Sequence, residues 1–179
     1  MRVLDGSRSR SAHTLYLLRH AKSAWDRPLP DHERPLAARG IRDATAAGKL
    51  LAEEGWRPDL VLCSTAERTR LTWQRAADAG ATAGEIRYVE EIYEADTEDL
   101  LDLVQQTPEE IGSLMLIGHG PGLPDLADVL GARPKPQQAW ARMDRKYPTS
   151  GLAVLRLPGR WADVSPGTAE LVAFEVPRG

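Results

Sequence analysis

Leu15-Tyr16-Leu17-Leu18-Arg19-His20-Ala21-Lys22-Ser23 is the stretch on which the fold reading turns. An unbroken apolar run reads as a short buried strand, and the chain turns polar at its end with Arg19 and His20. Two later stretches repeat that layout. Leu60-Val61-Leu62-Cys63 runs into Ser64-Thr65-Ala66-Glu67-Arg68, and Leu114-Met115-Leu116-Ile117 runs into Gly118-His119-Gly120-Pro121-Gly122.

Segments of helical period lie between and around these strands. Residues 37–54 place Ile41, Ala44, Leu50 and Leu51 on a helical spacing, with Gly55 as a stop signal. Ser64-Thr65-Ala66-Glu67 has the form of a capping box opening a helix that runs to about Ala79. Residues 86–89 read as a third strand, 97–105 and 122–130 as helices. The runs 152–157 and 170–176, separated by Pro158-Gly159, read as a hairpin or edge pair. Strand alternating with helix predicts an α/β fold, a three-layer α/β/α sandwich with a mainly parallel sheet. Residues 131–150, with Pro134, Pro136 and Pro148, form the least regular part. Such an excursion serves as a lid or binding loop, or, given Trp140, Met143 and Tyr147, holds a short packed helix.

A length of 179 residues suits one core, so residues 14–179 read as a single domain and 1–13 as a disordered leader. With 42% hydrophobic and 27% charged residues the composition is that of a soluble globular protein. A net charge of −3 with interspersed signs argues against nucleic acid or a membrane surface as partner. The lone cysteine, Cys63, excludes an intrachain disulfide and reads as a small buried apolar residue. No apolar stretch reaches the length needed to span a bilayer, and the expected location is the cytoplasm.

In a parallel sheet the carboxyl ends of the strands share one edge, where open α/β folds bind ligands. That edge would gather Arg19, His20, Arg68 and His119. Two guanidiniums can clamp a phosphoryl group bidentately while staying charged. A neutral imidazole can attack phosphorus in line, and a second can donate to the equatorial oxygens. No metal or other cofactor is called for, since the four histidines, at 13, 20, 32 and 119, lack ligand-like spacing. Taken singly each piece has an ordinary explanation: a polar loop histidine, a tight glycine turn, a surface arginine. Their shared layout is what favours chemistry.

With these motifs the sequence resembles the histidine phosphatase superfamily, whose fold is phosphoglycerate mutase-like. The resemblance runs from about Leu15 to Val176. It rests on Arg19-His20 after the first strand, Arg68 early in the second helix and the Gly118-His119 turn. The branch it is most similar to is that of the phosphohistidine phosphatases of the SixA type, through Asp31-His32-Glu33-Arg34-Pro35-Leu36, Arg39-Gly40 and Asp43-Ala44. Ala21 stands where the family has glycine. The resemblance implies that His20 is the nucleophile, that Arg19 and Arg68 hold the phosphoryl group and that His119 stabilises it. It also implies a general acid after the third strand. Glu90, Glu91 and Glu94 are candidates, with Glu91 favoured and a solvated loop carboxylate as the alternative. Asp26 takes a phosphate-contacting position and would orient Arg19 or donate a proton. Arg34, like Lys22 and Lys146, is a candidate for substrate recognition or an ordinary surface charge.

The resulting expectation is a metal-independent phosphatase forming a phosphohistidine intermediate on His20. Its expected substrate is a phosphohistidine protein. The alternatives are a phosphatase of small metabolite phosphoesters and a non-catalytic phosphate- or phosphoprotein-binding module.

Overall fold

In the computed structural model, which describes residues 12–135 and 138–179, the first apolar run is a strand, β1 (His13–Arg19). Strand side chains alternate between faces. Leu15 and Leu17 therefore join one core cluster, and Tyr16 and Leu18 the other. The remaining strands are β2 (Leu60–Ser64), β3 (Glu85–Val89), β4 (Ser113–Gly118), β5 (Leu152–Leu157) and β6 (Glu170–Glu175). They build one six-stranded sheet of order β3-β2-β4-β1-β5-β6. Neighbours among β1 to β4 pair in parallel, whereas β5 is antiparallel to both β1 and β6.

Two helices cover one face: α1 (Ala38–Glu54) and α2 (Glu67–Asp78) bring Leu51, Trp73 and Ala76 onto Tyr16, Leu18, Val61 and Met115. The other face is covered by α3 (Thr97–Gln105), α4 (Gly122–Leu130) and α5 (Gln138–Arg145). From these come Leu100, Leu126 and Trp140, packed on Leu15, Leu17, Leu114 and Leu116. This is the three-layer α/β/α sandwich that the sequence predicts. The runs 152–157 and 170–176 form the expected pair, with a register shift between Val154 and Leu155. Gly55 ends α1 in the left-handed region at φ 66°, which favours a residue without a Cβ.

Three expectations change, and one pair of alternatives is resolved. The leader lies outside the described residues as far as residue 11, but His13 opens β1 and is buried. Ser64 does not cap α2: it is the last residue of β2, and Ala66 takes the N-cap position, with no side-chain hydrogen bond from the cap residue into the helix. Ile41 faces outward at 37% exposure, while Asp43, Ala44 and Ala47 turn inward. Within residues 131–150 the packed-helix alternative holds, and α5 and the residues after it are no lid. Trp140, Met143 and Tyr147 are buried in the same core cluster as α3 and α4. The Tyr147 hydroxyl donates to the carbonyl of Leu17 and accepts from the Ala153 N–H, tying this segment under β1 and β5.

Candidate active site

The parallel order places β4 between β2 and β1, so the carboxyl ends of all three converge. Arg19 is the last residue of β1 and pairs with Gly118, the last of β4. His20 follows, its N–H donating to the Gly118 carbonyl at 3.0 Å. Ser150 N–H donates to the His20 carbonyl at 3.0 Å, fixing the turn from the α5 side. From the α2 side, Ala21 N–H donates to Thr72 Oγ1 at 3.0 Å, and that hydroxyl donates to the Arg68 carbonyl at 2.7 Å. The turn bearing His20 is thus braced by both helical layers.

His20 is 8% exposed, and its Nδ1 lies 2.7 Å from the carbonyl of Ala21. A carbonyl only accepts, so Nδ1 carries the proton and Nε2 keeps its lone pair. Burial, with Arg68, Arg19 and Arg34 nearby, pulls the His20 pKa down to about 4 against an opposing backbone hydrogen bond. The ring is therefore neutral at neutral pH, with the Nε2 lone pair free.

His119 stands across the pocket, its ring centroid 5.3 Å from that of His20. Burial, then the charges of His20, Arg68 and Arg19, lower its pKa to about 3. Its Nε2 lies 2.7 Å from Ser64 Oγ, which already accepts from the Ala66 N–H at 3.3 Å. With the hydroxyl proton donated to Nε2, the His119 proton sits on Nδ1.

Each guanidinium is anchored by its terminal nitrogens. Arg19 donates from Nη1 to the carbonyl of Tyr147 at 2.9 Å. Arg68 donates from Nη1 to the carbonyl of Asp31 at 2.8 Å and from Nη2 to the Asp31 carboxylate at 3.1 Å. Among the described residues, three buried side-chain nitrogens lack a partner: Arg19 Nε, Arg68 Nε and His119 Nδ1. Buried donors are rarely left unpaired, and an anion among them would satisfy all three.

Asp31 belongs to the short 3-10 turn Asp31–Glu33, which sequence reasoning left without a role. Its carboxylate accepts from Arg34 Nε at 3.1 Å, Arg68 Nη2 at 3.1 Å and the Tyr93 hydroxyl at 2.6 Å. The Tyr93 hydrogen bond, then Arg34 and Arg68, hold its pKa well below the usual carboxylate range. Tyr93 also packs edge-on against His119 with centroids 5.5 Å apart.

Arg19, His20, Arg68 and His119 come together as expected, and Arg34 joins them through Asp31. Glu91 does not: it is exposed and lines a surface recess with Val89, Asp99 and Asp102. A one-turn 3-10 segment, Glu90–Ile92, buries Ile92 and turns the glutamates outward. Asp26 is exposed in a groove with Lys22 and Arg27, and the Tyr147 carbonyl orients Arg19 instead. Among the described residues no group of three or more His, Cys, Asp or Glu could hold a metal ion, and no helix is long and apolar enough to cross a membrane.

This fold and this histidine–arginine pocket define a phosphate-handling α/β enzyme of the phosphoglycerate mutase-like kind. The profile of the histidine phosphatase superfamily (branch 1) matches residues 15–151, and the chain belongs to that superfamily, as a hydrolase of phosphorylated substrates. It is 44% identical over 162 residues to an uncharacterized protein of Mycobacterium tuberculosis, covering 90% of this chain and 100% of that one. Its structure is similar to a candidate phosphohistidine phosphatase SixA from Nakamurella multipartitia, with 32% identity and a TM-score of 0.79 over 93% of this chain and 96% of that one. A candidate SixA from Agrobacterium tumefaciens gives 35% identity and a TM-score of 0.74 over 92% and 99% of the two chains.

Proposed function

We propose that this chain is a phosphohistidine protein phosphatase that works through a phosphoryl group carried on His20. The observation that supports it is the set of three unpaired buried nitrogens, Arg19 Nε, Arg68 Nε and His119 Nδ1, beside the neutral ring of His20. In the first step the Nε2 lone pair of His20 forms a bond to phosphorus as the bond to the leaving group breaks in line. The equatorial oxygens receive hydrogen bonds from Arg19, Arg68 and His119, which strengthen as charge spreads over them. In the second step a water oxygen bonds to phosphorus, the P–Nε2 bond breaks, and the water proton leaves with inorganic phosphate. His20 returns to its starting tautomer because Ala21 still holds Nδ1–H.

The leaving group decides the substrate class. An alkoxide needs a proton in the transition state, and an efficient donor has a pKa near the working pH. The carboxylate closest to the pocket residues, Asp31, is held ionised by Tyr93, Arg34 and Arg68, and Glu91 faces away. An imidazole whose other nitrogen is protonated leaves as a neutral ring and needs no such donor. That favours a phosphorus–nitrogen bond over a phosphoester.

The test is a comparison of kcat/KM for a histidine-phosphorylated protein with a panel of sugar phosphates and nucleotides. The phosphohistidine protein is expected to exceed every ester by at least about a hundredfold, the scale of one missing acid catalyst. Preference for any small ester would assign the chain to metabolite phosphatases instead.

A further inference from the structure

We propose that residues 25–31, at the mouth of the phosphate pocket, are a docking lip for the phosphorylated protein, with Trp25 as its anchor. This rests on the phosphohistidine reading above. Every residue from Trp25 to Asp31 is exposed, and Trp25 leaves 71% of its surface in water. So large an apolar ring is seldom left that open, and tryptophan is among the side chains that dominate binding energy at interfaces.

The lip is held in shape. Its two ends are joined by the bridge between Ser23 and Leu36 and by the Ala24 N–H donating to the Pro35 carbonyl at 2.8 Å. Pro28 and Pro30 restrict the backbone between them. The Arg34 guanidinium lies 3.5 Å from the centroid of the Trp25 ring. Arg34 is itself only 7% exposed, fixed by Ser23 Oγ at 2.8 Å and by Asp31. One face of the indole is therefore stacked on a clamped cation and the rest faces solvent. A pre-positioned aromatic ring loses little freedom on binding.

The lip is also continuous with the pocket. It starts just after the His20 turn and ends at Asp31, whose carboxylate Arg34 and Arg68 share. A group whose phosphoryl sits among Arg19, Arg68 and His119 has this rim beside it. The rim offers apolar contact through Trp25, Pro28 and the 38%-exposed Leu29, and its charges are mixed, Lys22 and Arg27 against Asp26 and Asp31. A sugar phosphate has no apolar surface to give it. A polypeptide with large apolar side chains beside its phosphohistidine does.

The test uses phosphoramidate and two phosphohistidine peptides, one with leucine and one with alanine on both sides of the phosphohistidine. The unaltered protein is expected to favour the leucine peptide about tenfold in kcat/KM, the scale of one anchor contact. Trp25→Ala and Leu29→Ser should each remove most of that preference while phosphoramidate turnover stays within about twofold. Leu29 does not touch Arg34 in any hydrogen bond or stack, so its variant separates docking from bracing. The proposal is overturned if the unaltered protein does not discriminate, if the variants still do, or if phosphoramidate turnover falls equally. A dimer that Trp25→Ala dissociates would assign the lip to a second copy of the chain, again against the proposal. Failure of the unaltered protein on phosphoramidate and both peptides would instead remove the phosphohistidine reading, and the lip with it.

Discussion

Ser64 Oγ lies 2.7 Å from Nε2 of His119, a contact through which the serine hydroxyl can hold the His119 proton on Nδ1. Because Ser64 sits at the end of β2 and His119 just beyond β4, the sheet itself brings the two side chains together.

Ser64→Ala removes the donor while keeping the volume of a residue that is fully buried. Losing one such hydrogen bond is worth about 1 kcal/mol, so kcat should fall about five- to tenfold with little change in KM. Nitrogen-15 spectra should show the His119 proton no longer confined to Nδ1. An unchanged kcat would mean that the tautomer does not matter to the reaction.

Both histidines have their pKa lowered, His20 to about 4 and His119 to about 3. A ring near 6.5 when unfolded and near 4 when folded binds protons preferentially in the unfolded state between those values. Stability should accordingly fall as pH drops from about 6.5 to about 4, and nucleophilicity should be lost as pH falls through about 4. Above that range kcat/KM should show no limb from His20. Titration of the ring carbon shifts measures this directly, and a His20 midpoint near 6.5 would contradict the burial argument.

Asp31→Asn takes away the charge that Arg34, Arg68 and Tyr93 share. Breaking a charged network around the Arg68 guanidinium should lower kcat/KM about ten- to a hundredfold. Glu91→Gln should change it by less than about twofold, since surface changes away from special contacts are close to neutral. The pair of measurements separates the two carboxylates. The opposite ranking would restore Glu91 as the acid.

Arg68→Lys keeps the charge and loses the fork. A lysine cannot bond both the Asp31 carbonyl and its carboxylate while leaving an Nε–H for the ligand. Its kcat/KM should fall about a hundredfold, the scale of a lost transition-state donor. Near-normal kinetics would show that charge alone suffices.

Arg19, His20, Arg68 and His119 are legible as one cluster in the sequence because each lies within a few residues of the end of an apolar run, and a parallel sheet brings such ends to one edge whatever their separation. The helices α3 and α4 are likewise legible from spacing alone. What is not legible depends on side chains meeting across long separations. Asp31 and Tyr93 are linked by a hydroxyl-to-carboxylate contact between two one-turn segments, and nothing in local periodicity records it. Ser64 reads as a cap because its pattern fits one, yet the strand extends through it and hands its hydroxyl to His119. Glu91 turns outward for a similar reason, as burial of Ile92 in the core fixes which way its neighbours turn.

The most direct test of the central claim is to mix the protein with phosphoramidate, quench in alkali to preserve the phosphorus–nitrogen bond, and locate the phosphoryl group by mass spectrometry and phosphorus NMR. The account predicts a phosphoryl group on Nε2 of His20 and none in His20→Ala, which should not turn over substrate. Full turnover with no phosphoryl group on His20, or a phosphoryl group found on His119 instead, would contradict it.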